Sequence, residues 1–161
     1  MPPMSITGYN ALVLAGFVSA LSLMLAPAAT AQTLTLTIAP STITFISADP
    51  DTTPSIAAPS ITVSYRVRNN ASGSWQISLL ASGDLTAGSA TIPITNVTWT
   101  ASPTPPFQAG TLSRTLAQTL ASGTGNVQNT TTGAVVFRLA NSWAYNVGNY
   151  STSVVFTLTA P

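Results

Sequence analysis

The chain contains no cysteine, histidine, lysine or glutamate among its 161 residues. Without cysteine it can form neither a disulfide nor a thiolate metal site. Without histidine it lacks the usual proton shuttle and the commonest metal ligand. We therefore predict that the protein is not an enzyme and that it carries no cofactor.

Charge is also scarce, at 4% of the residues and a net +1. A balance this close to neutral excludes the basic footprint of a nucleic-acid-binding protein. It does not indicate disorder, because 45% of the residues are hydrophobic and many are β-branched, which suits a pleated, half-buried surface. The charged residues are Asp49, Asp51, Asp84, Arg66, Arg68, Arg114 and Arg138.

Residues 1–31 have the pattern of an export signal. An apolar run extends from Ala11 to Ala26, and Ala29-Thr30-Ala31 forms a small-x-small cleavage signature before Gln32. The run is shorter than the about 20 residues that usually span a bilayer. One feature departs from the pattern: this N-terminal region has no lysine or arginine. The alternative interpretation is an uncleaved anchor helix. We predict a signal peptide over 1–31, a secreted protein and no membrane span after cleavage.

The rest of the chain alternates polar and apolar residues with a period of two, which is typical of β-strands. Clusters of Gly, Pro, Asn and Ser separate the alternating stretches. We predict an all-β fold, a single immunoglobulin-like antiparallel β-sandwich over residues 32–161. The stretches with the clearest alternation are 33–38, 61–68, 75–79, 135–139 and 150–159.

Between these strands the patterns are weaker. A second short strand is predicted at Ile43 and Phe45, and the compositions of 47–59 and 122–133 are typical of loops. The parity of the apolar positions changes between Ile94 and Val97, which predicts a β-bulge near Asn96. In 110–123 the leucines have helical spacing, whereas the threonines favour a strand or irregular structure.

Two segments share features with a known family. The first, 74–79, reads Ser-Trp-Gln-Ile-Ser-Leu after a polar turn, with Leu85 and Ile92 downstream. The second begins with Gly148-Asn149-Tyr150 and ends, over 156–161, in Phe-Thr-Leu-Thr-Ala-Pro. In this order they resemble the WxL domain family of bacterial cell-surface proteins.

The chain departs from the family at both signatures, so we describe it as WxL-like. Ile77 stands where the family has leucine, and Phe156 stands where it has tryptophan. The resemblance implies a secreted protein that associates non-covalently with the cell surface. It also implies a binding role for the motif residues Trp75, Ile77, Phe156 and Leu158.

The aromatic residues have two interpretations. Trp75 could present an aromatic face to a sugar, but a tryptophan in an alternating strand usually fills a sandwich core, and the same holds for Phe156 and Leu158. Four others lie beside Pro- or Asn-rich loops and are better candidates for an exposed binding patch, since recognition favours loops on rigid scaffolds. They are Trp99, Trp143, Tyr145 and Phe107.

The three aspartates could coordinate Ca²⁺ if loops brought Asp49, Asp51 and Asp84 together, but turn formation is the simpler interpretation. No pattern supports a glycosidase pair. No serine has a histidine or lysine available as its base.

These observations lead to two functional hypotheses. The first is a non-catalytic secreted or cell-surface protein that binds an envelope polymer or other surface proteins, or that acts as a structural component of the surface. The second is a pilus-type structural subunit that self-assembles when residues 32–38 add as a strand to a neighbour's sheet edge.

Overall fold

The computed structural model describes residues 32–68 and 72–160, and almost all regular structure in them is β-strand. The predicted all-β sandwich is confirmed, whereas the finer immunoglobulin-like assignment stays a prediction. The strands are β1 (Thr33–Ala39), β2 (Ser55–Ala57), β3 (Ile61–Arg68), β4 (Ser74–Ala81), β5 (Leu85–Ala87), β6 (Ala90–Ile92), β7 (Val97–Ser102), β8 (Gly110–Thr111), β9 (Gln118–Thr124), β10 (Val127–Ala140) and β11 (Val154–Thr159).

Two antiparallel sheets form the sandwich. The larger sheet has six strands in the order β1-β3-β10-β7-β8, with β2 also paired to β10. The smaller sheet has the order β11-β4-β9, and β5 and β6 form a separate hairpin. The outermost strands β1 and β11 approach each other, so both sheets end on the same side of the sandwich.

The core lies between the inner faces of the two sheets. Alternate residues of β3, Ile61 to Val67, are buried while their neighbours are not. Tyr65 packs against Trp75 of the smaller sheet at 4.8 Å between ring centroids, and against Phe107 at 5.9 Å. Burial of such large side chains is the main stabilising contribution to the fold.

Several predictions for the connecting segments are wrong. Ile43 and Phe45 pack partly against the core but do not lie in a strand. The parity change near Asn96 is produced by a single 3₁₀ turn, Ile94–Asn96, rather than by a bulge. That turn rotates the chain between β6 and β7, which has the effect on side-chain direction that a bulge would have.

The two predicted loops also contain strands. Residues 47–59 include β2, which pairs with the end of β10. Most of 122–133 belongs to β9 and β10, and the chain crosses between the sheets at Gly125, which has a φ of 73°. In 110–123 the strand interpretation is correct at both ends, since β8 and β9 flank an irregular stretch.

The predicted signal peptide and most of the predicted turn at 69–73 lie outside the described residues. Within the part of the chain that is described, no helix is long and apolar enough to cross a membrane.

Candidate functional site: an exposed tryptophan on a tethered loop

The most exposed aromatic ring in the described structure belongs to Trp143, with 69% of its surface accessible. Its indole Nε1 donates a hydrogen bond of 3.1 Å to Oδ1 of Asp51. Because the indole can donate only through Nε1, this bond holds the ring in one orientation while its faces stay open to solvent.

The loop that carries Asp51 is shaped by its own hydrogen bonds. The backbone N–H of Asp51 donates to Oδ1 of Asp49 at 2.9 Å, and the N–H of Thr53 donates to the Asp49 carbonyl oxygen at 2.8 Å. An aspartate that accepts from the backbone two residues later is a common turn former. The turn interpretation of Asp49 is therefore the one that the structure supports.

Asn141 attaches this loop to the end of β10. Its Nδ2 donates to the carbonyl oxygens of Ala48 and Thr53, at 2.9 and 3.0 Å, and its backbone N–H donates to the Pro54 oxygen at 2.9 Å. Three bonds from one residue fix the loop against the segment that contains Trp143. We call the surface formed by Asp49, Asp51, Asn141 and Trp143 the tryptophan platform.

The platform combines an apolar surface with fixed acceptors. The indole faces can cover the C–H face of a sugar ring, and burial of that apolar area is favourable. The carboxylate of Asp51 lies beside the ring, where its second oxygen can accept a hydrogen bond from a sugar hydroxyl. Rigid loops at the end of a sandwich are where binding residues are usually found.

The other predicted members of the exposed patch lie elsewhere. Trp99 and Phe107 are each only 1% exposed, so the prediction of exposure is wrong for both. Tyr145 is half-buried, and its hydroxyl accepts a bond of 2.9 Å from Nδ2 of Asn96. Of the four candidates, Trp143 is the one with a large free surface.

The motif residues of the WxL-like resemblance face inward. Trp75 is 4% exposed and Ile77 is fully buried, while Phe156 and Leu158 are partly buried against the core. A Cβ on Gly123 would lie 2.5 Å from the Trp75 ring, so the glycine makes room for it. In this fold the side chains of Trp75 and Ile77 fill the core, and the binding role that the resemblance implies stays a prediction.

The three aspartates do not assemble into a metal site. Asp84 accepts from the backbone N–H of Ile94 at 3.0 Å and from Arg114 at 2.9 Å, whereas Asp49 and Asp51 share the loop described above. Residues 32–68 and 72–160 contain no group of three or more carboxylate, imidazole or thiol side chains that could hold a metal ion. Asp84 instead ties three segments together at the turn after β4.

One side chain in the core, the Tyr65 phenol, has a shifted pKa. Burial raises the pKa of the Tyr65 phenol, and a hydrogen bond with Thr131 offsets part of that rise. The phenol therefore remains protonated at neutral pH. Tyr65 contributes packing in the core rather than acid–base chemistry.

Comparison with known proteins adds no family: no protein-family model matches the chain, and no curated protein matches it either. The WxL-like assignment therefore continues to depend on the sequence motifs alone. The platform itself was missed from the sequence, since its partners Asp51 and Trp143 lie far apart in the chain. The one local signal was Asn141, an asparagine directly after a strand.

Proposed function

We propose that this is a non-catalytic, secreted β-sandwich protein that associates with the cell envelope by binding an envelope glycan at the tryptophan platform. The observation that carries the proposal is the exposed Trp143 ring, held by Asp51 on a loop that Asn141 tethers. The signal-like sequence of residues 1–31 and the WxL-like motifs support the location.

A single stacking residue gives modest affinity for one sugar. A polymer presents many copies of the same unit, so rebinding and attachment of several protein molecules raise the apparent affinity. This fits a protein that must remain on a surface without a covalent bond. It also predicts that binding to a polymer will be much tighter than binding to its monomer.

We expect Trp143→Ala to weaken retention on purified cell walls by about thirtyfold, the loss typical when a central aromatic anchor is truncated. The measurement is a pull-down at physiological salt. It uses the chain expressed from its first residue and purified in the form that the cells deliver, with its mass recorded to test cleavage after Ala31. Asp51→Ala should have a smaller effect, because it frees the ring without removing it.

The matched control is Leu116→Ala, which removes an exposed apolar side chain, 67% accessible, from the segment between β8 and β9. It should bind as wild type, and all variants should keep the wild-type thermal midpoint. If Trp143→Ala is retained as well as Leu116→Ala, the platform is not the binding site.

A second candidate is the self-assembling subunit, with a different mode of assembly from the one that the sequence predicts. One observation favours it: the open edge of the larger sheet at β1. Residues 33–39 pair with β3 in the protein's own sheet, which argues against their addition to a neighbour. However, β1 is an edge strand that within the described residues pairs with β3 alone, and it carries no charge or proline. Such edges accept another strand readily.

Assembly at this edge should be blocked by a charge placed on it. We expect Thr35→Lys on β1 to abolish any multimer seen by light scattering or electron microscopy. Thr62→Lys, on the adjacent interior strand β3, should leave the multimer intact. A wild-type chain that stays monomeric at high concentration would exclude this candidate.

A further inference from the structure

The positive and negative charges of this protein lie on different parts of its surface. Three of its four arginines, Arg66, Arg68 and Arg138, lie on the outer face of the larger sheet, at strand positions that alternate with buried ones. The fourth, Arg114, pairs with Asp84 beyond β4. Since Asp49 and Asp51 lie in the loop before β2, the outer face carries positive charge and no aspartate.

No ion pair among the described residues involves the arginines of this face, so they can bind a ligand. Arg68 and Arg138 are exposed, and the ion pair found among the described residues is that of Arg114. Arg66 is half-buried; it donates from Nη2 to the Gln128 carbonyl oxygen at 3.0 Å, and its buried Nε has no hydrogen-bond partner within the described structure. The exposed guanidinium nitrogens of Arg68 and Arg138, and those of Arg66 that are not buried, can form charge-assisted bonds to an anion.

Hydroxyl-bearing residues fill most of the outer positions between the arginines, although Ala134 and Val136 of β10 lie there too. The register places Thr37 beside Ser64 and Ser64 beside Thr132, so hydroxyls form a row across three strands. Neighbouring strands are about 4.8 Å apart, which makes the row regular. Further hydroxyl residues of the same face are Thr33, Thr35, Thr62, Thr98, Thr100 and Ser102.

The charges lie at the two ends of this hydroxyl surface. From the Ser64–Thr132 pair, Arg68 lies toward one end of the sheet and Arg138 toward the other, because β3 and β10 are antiparallel. At the rise of an antiparallel strand they are about 34 Å apart along the sheet. A ligand that reaches both must be long and extended.

We propose that the outer face of the larger sheet binds a linear acidic polysaccharide along the strand direction. Carboxylates would pair with Arg68, Arg66 and Arg138, and sugar hydroxyls would exchange hydrogen bonds with the threonines. This deepens the proposed function, and it rests on it, because Arg138 and Trp143 lie on either side of the last residue of β10, Ala140. One chain could follow the face and end at the tryptophan platform.

A polysaccharide suits this face better than a nucleic acid. Nucleic-acid binding gains its affinity from many phosphate contacts, typically about 6–10 in a strong binder, and this face has three arginines. Uronic acids carry carboxylates and hydroxyls together, which matches the mixture of arginine and threonine.

The test uses the purified full-length product and polygalacturonate, galacturonic acid, neutral galactan and polyphosphate as probes, with binding measured by calorimetry. We expect polygalacturonate to bind and the monomer to bind at least tenfold more weakly. The double variant Arg68→Gln/Arg138→Gln should lose at least tenfold in affinity for polygalacturonate. Arg114→Gln, which removes one positive charge away from this face, should lose less than twofold.

The proposal would be overturned if polygalacturonate did not bind, if Arg114→Gln lost as much affinity as the double variant, or if polyphosphate bound as tightly as polygalacturonate. The Trp143→Ala variant separates the two proposals. If it binds cell walls as wild type while the arginine variant loses affinity for polygalacturonate, the platform proposal fails and the proposal for the arginine-bearing face stands. If the arginine variant binds polygalacturonate as wild type, the proposal for the arginine-bearing face fails whatever the Trp143→Ala variant does.

Discussion

Replacing Trp99 with alanine is expected to lower the free energy of unfolding by about 3–5 kcal/mol, the range for a large aromatic removed from a core. Trp99 is 1% exposed and packs against Phe137 at 6.5 Å between ring centroids. Its Nε1 donates a 2.8 Å bond to the Gln108 carbonyl oxygen. The substitution removes this bond and leaves a cavity that rigid strands fill poorly.

The measurement is urea denaturation followed by far-UV circular dichroism, because loss of a tryptophan changes the fluorescence signal. Trp143→Ala is the matched control: it deletes the same side chain from the surface and should change stability by less than about 0.5 kcal/mol. A Trp99 variant within about 1 kcal/mol of wild type would show that this region is loosely packed, contrary to its burial.

The strands that could be predicted from the sequence are those whose burial follows their own alternation. Residues 61–67 alternate without interruption, and the structure buries that face of β3 completely. The alternation with a period of two is a property of the segment itself, so it can be recognised without knowing which strands will be its neighbours.

Burial of Trp99 could not be predicted in the same way. It precedes a Pro-rich segment, which is typical of an exposed loop, yet β7 pairs with β10 and places Trp99 opposite Phe137. The chain then returns through β8, and Gly110 lies so close to the ring that a Cβ there would overlap it. The burial of Trp99 depends on pairing between strands that are far apart in the chain. The alternation of residues within one strand carries no information about that pairing.

The composition of 122–133 was misleading for a related reason. Gly, Asn and Thr are frequent in loops, but threonine also favours strands. In the structure Ser64 of β3 pairs with Thr132 and supplies its backbone with a partner. A polar strand at a sheet surface therefore has the composition of a loop until its neighbour is known.

The sequence predicts single candidate residues of the site but not which of them come together. The exposure of Trp143 agrees with its position beside an Asn-rich segment, but Asp51, which orients it, precedes β2 and comes beside Trp143 only because Ser55 of β2 pairs with Ala140 of β10. The arginine-bearing face was predictable to the same extent: sequence parity places Arg66 and Arg68 on one face, and the sheet order adds Arg138.

Replacing Gly133 with alanine is expected to lower the free energy of unfolding by about 2–3 kcal/mol, the cost typical of overpacking a rigid core. In a strand, alanine is ordinarily the better residue, by about 0.5–1 kcal/mol. At Gly133 the added Cβ would overlap the Phe107 ring. The ring cannot retreat, because it is 1% exposed and also packs against Tyr65.

The cause can be separated from a general effect of alanine by two further variants. Gly83→Ala is the control, since a Cβ there would have no atom within 4 Å, and it should change stability by less than about 0.5 kcal/mol. In the background of Phe107→Leu, Gly133→Ala should cost at least about 1 kcal/mol less than in the wild type, because the smaller side chain removes the overlap. If the two substitutions are additive in urea denaturation, the Phe107 ring does not restrict position 133, and the close packing of β10 against this ring is wrong.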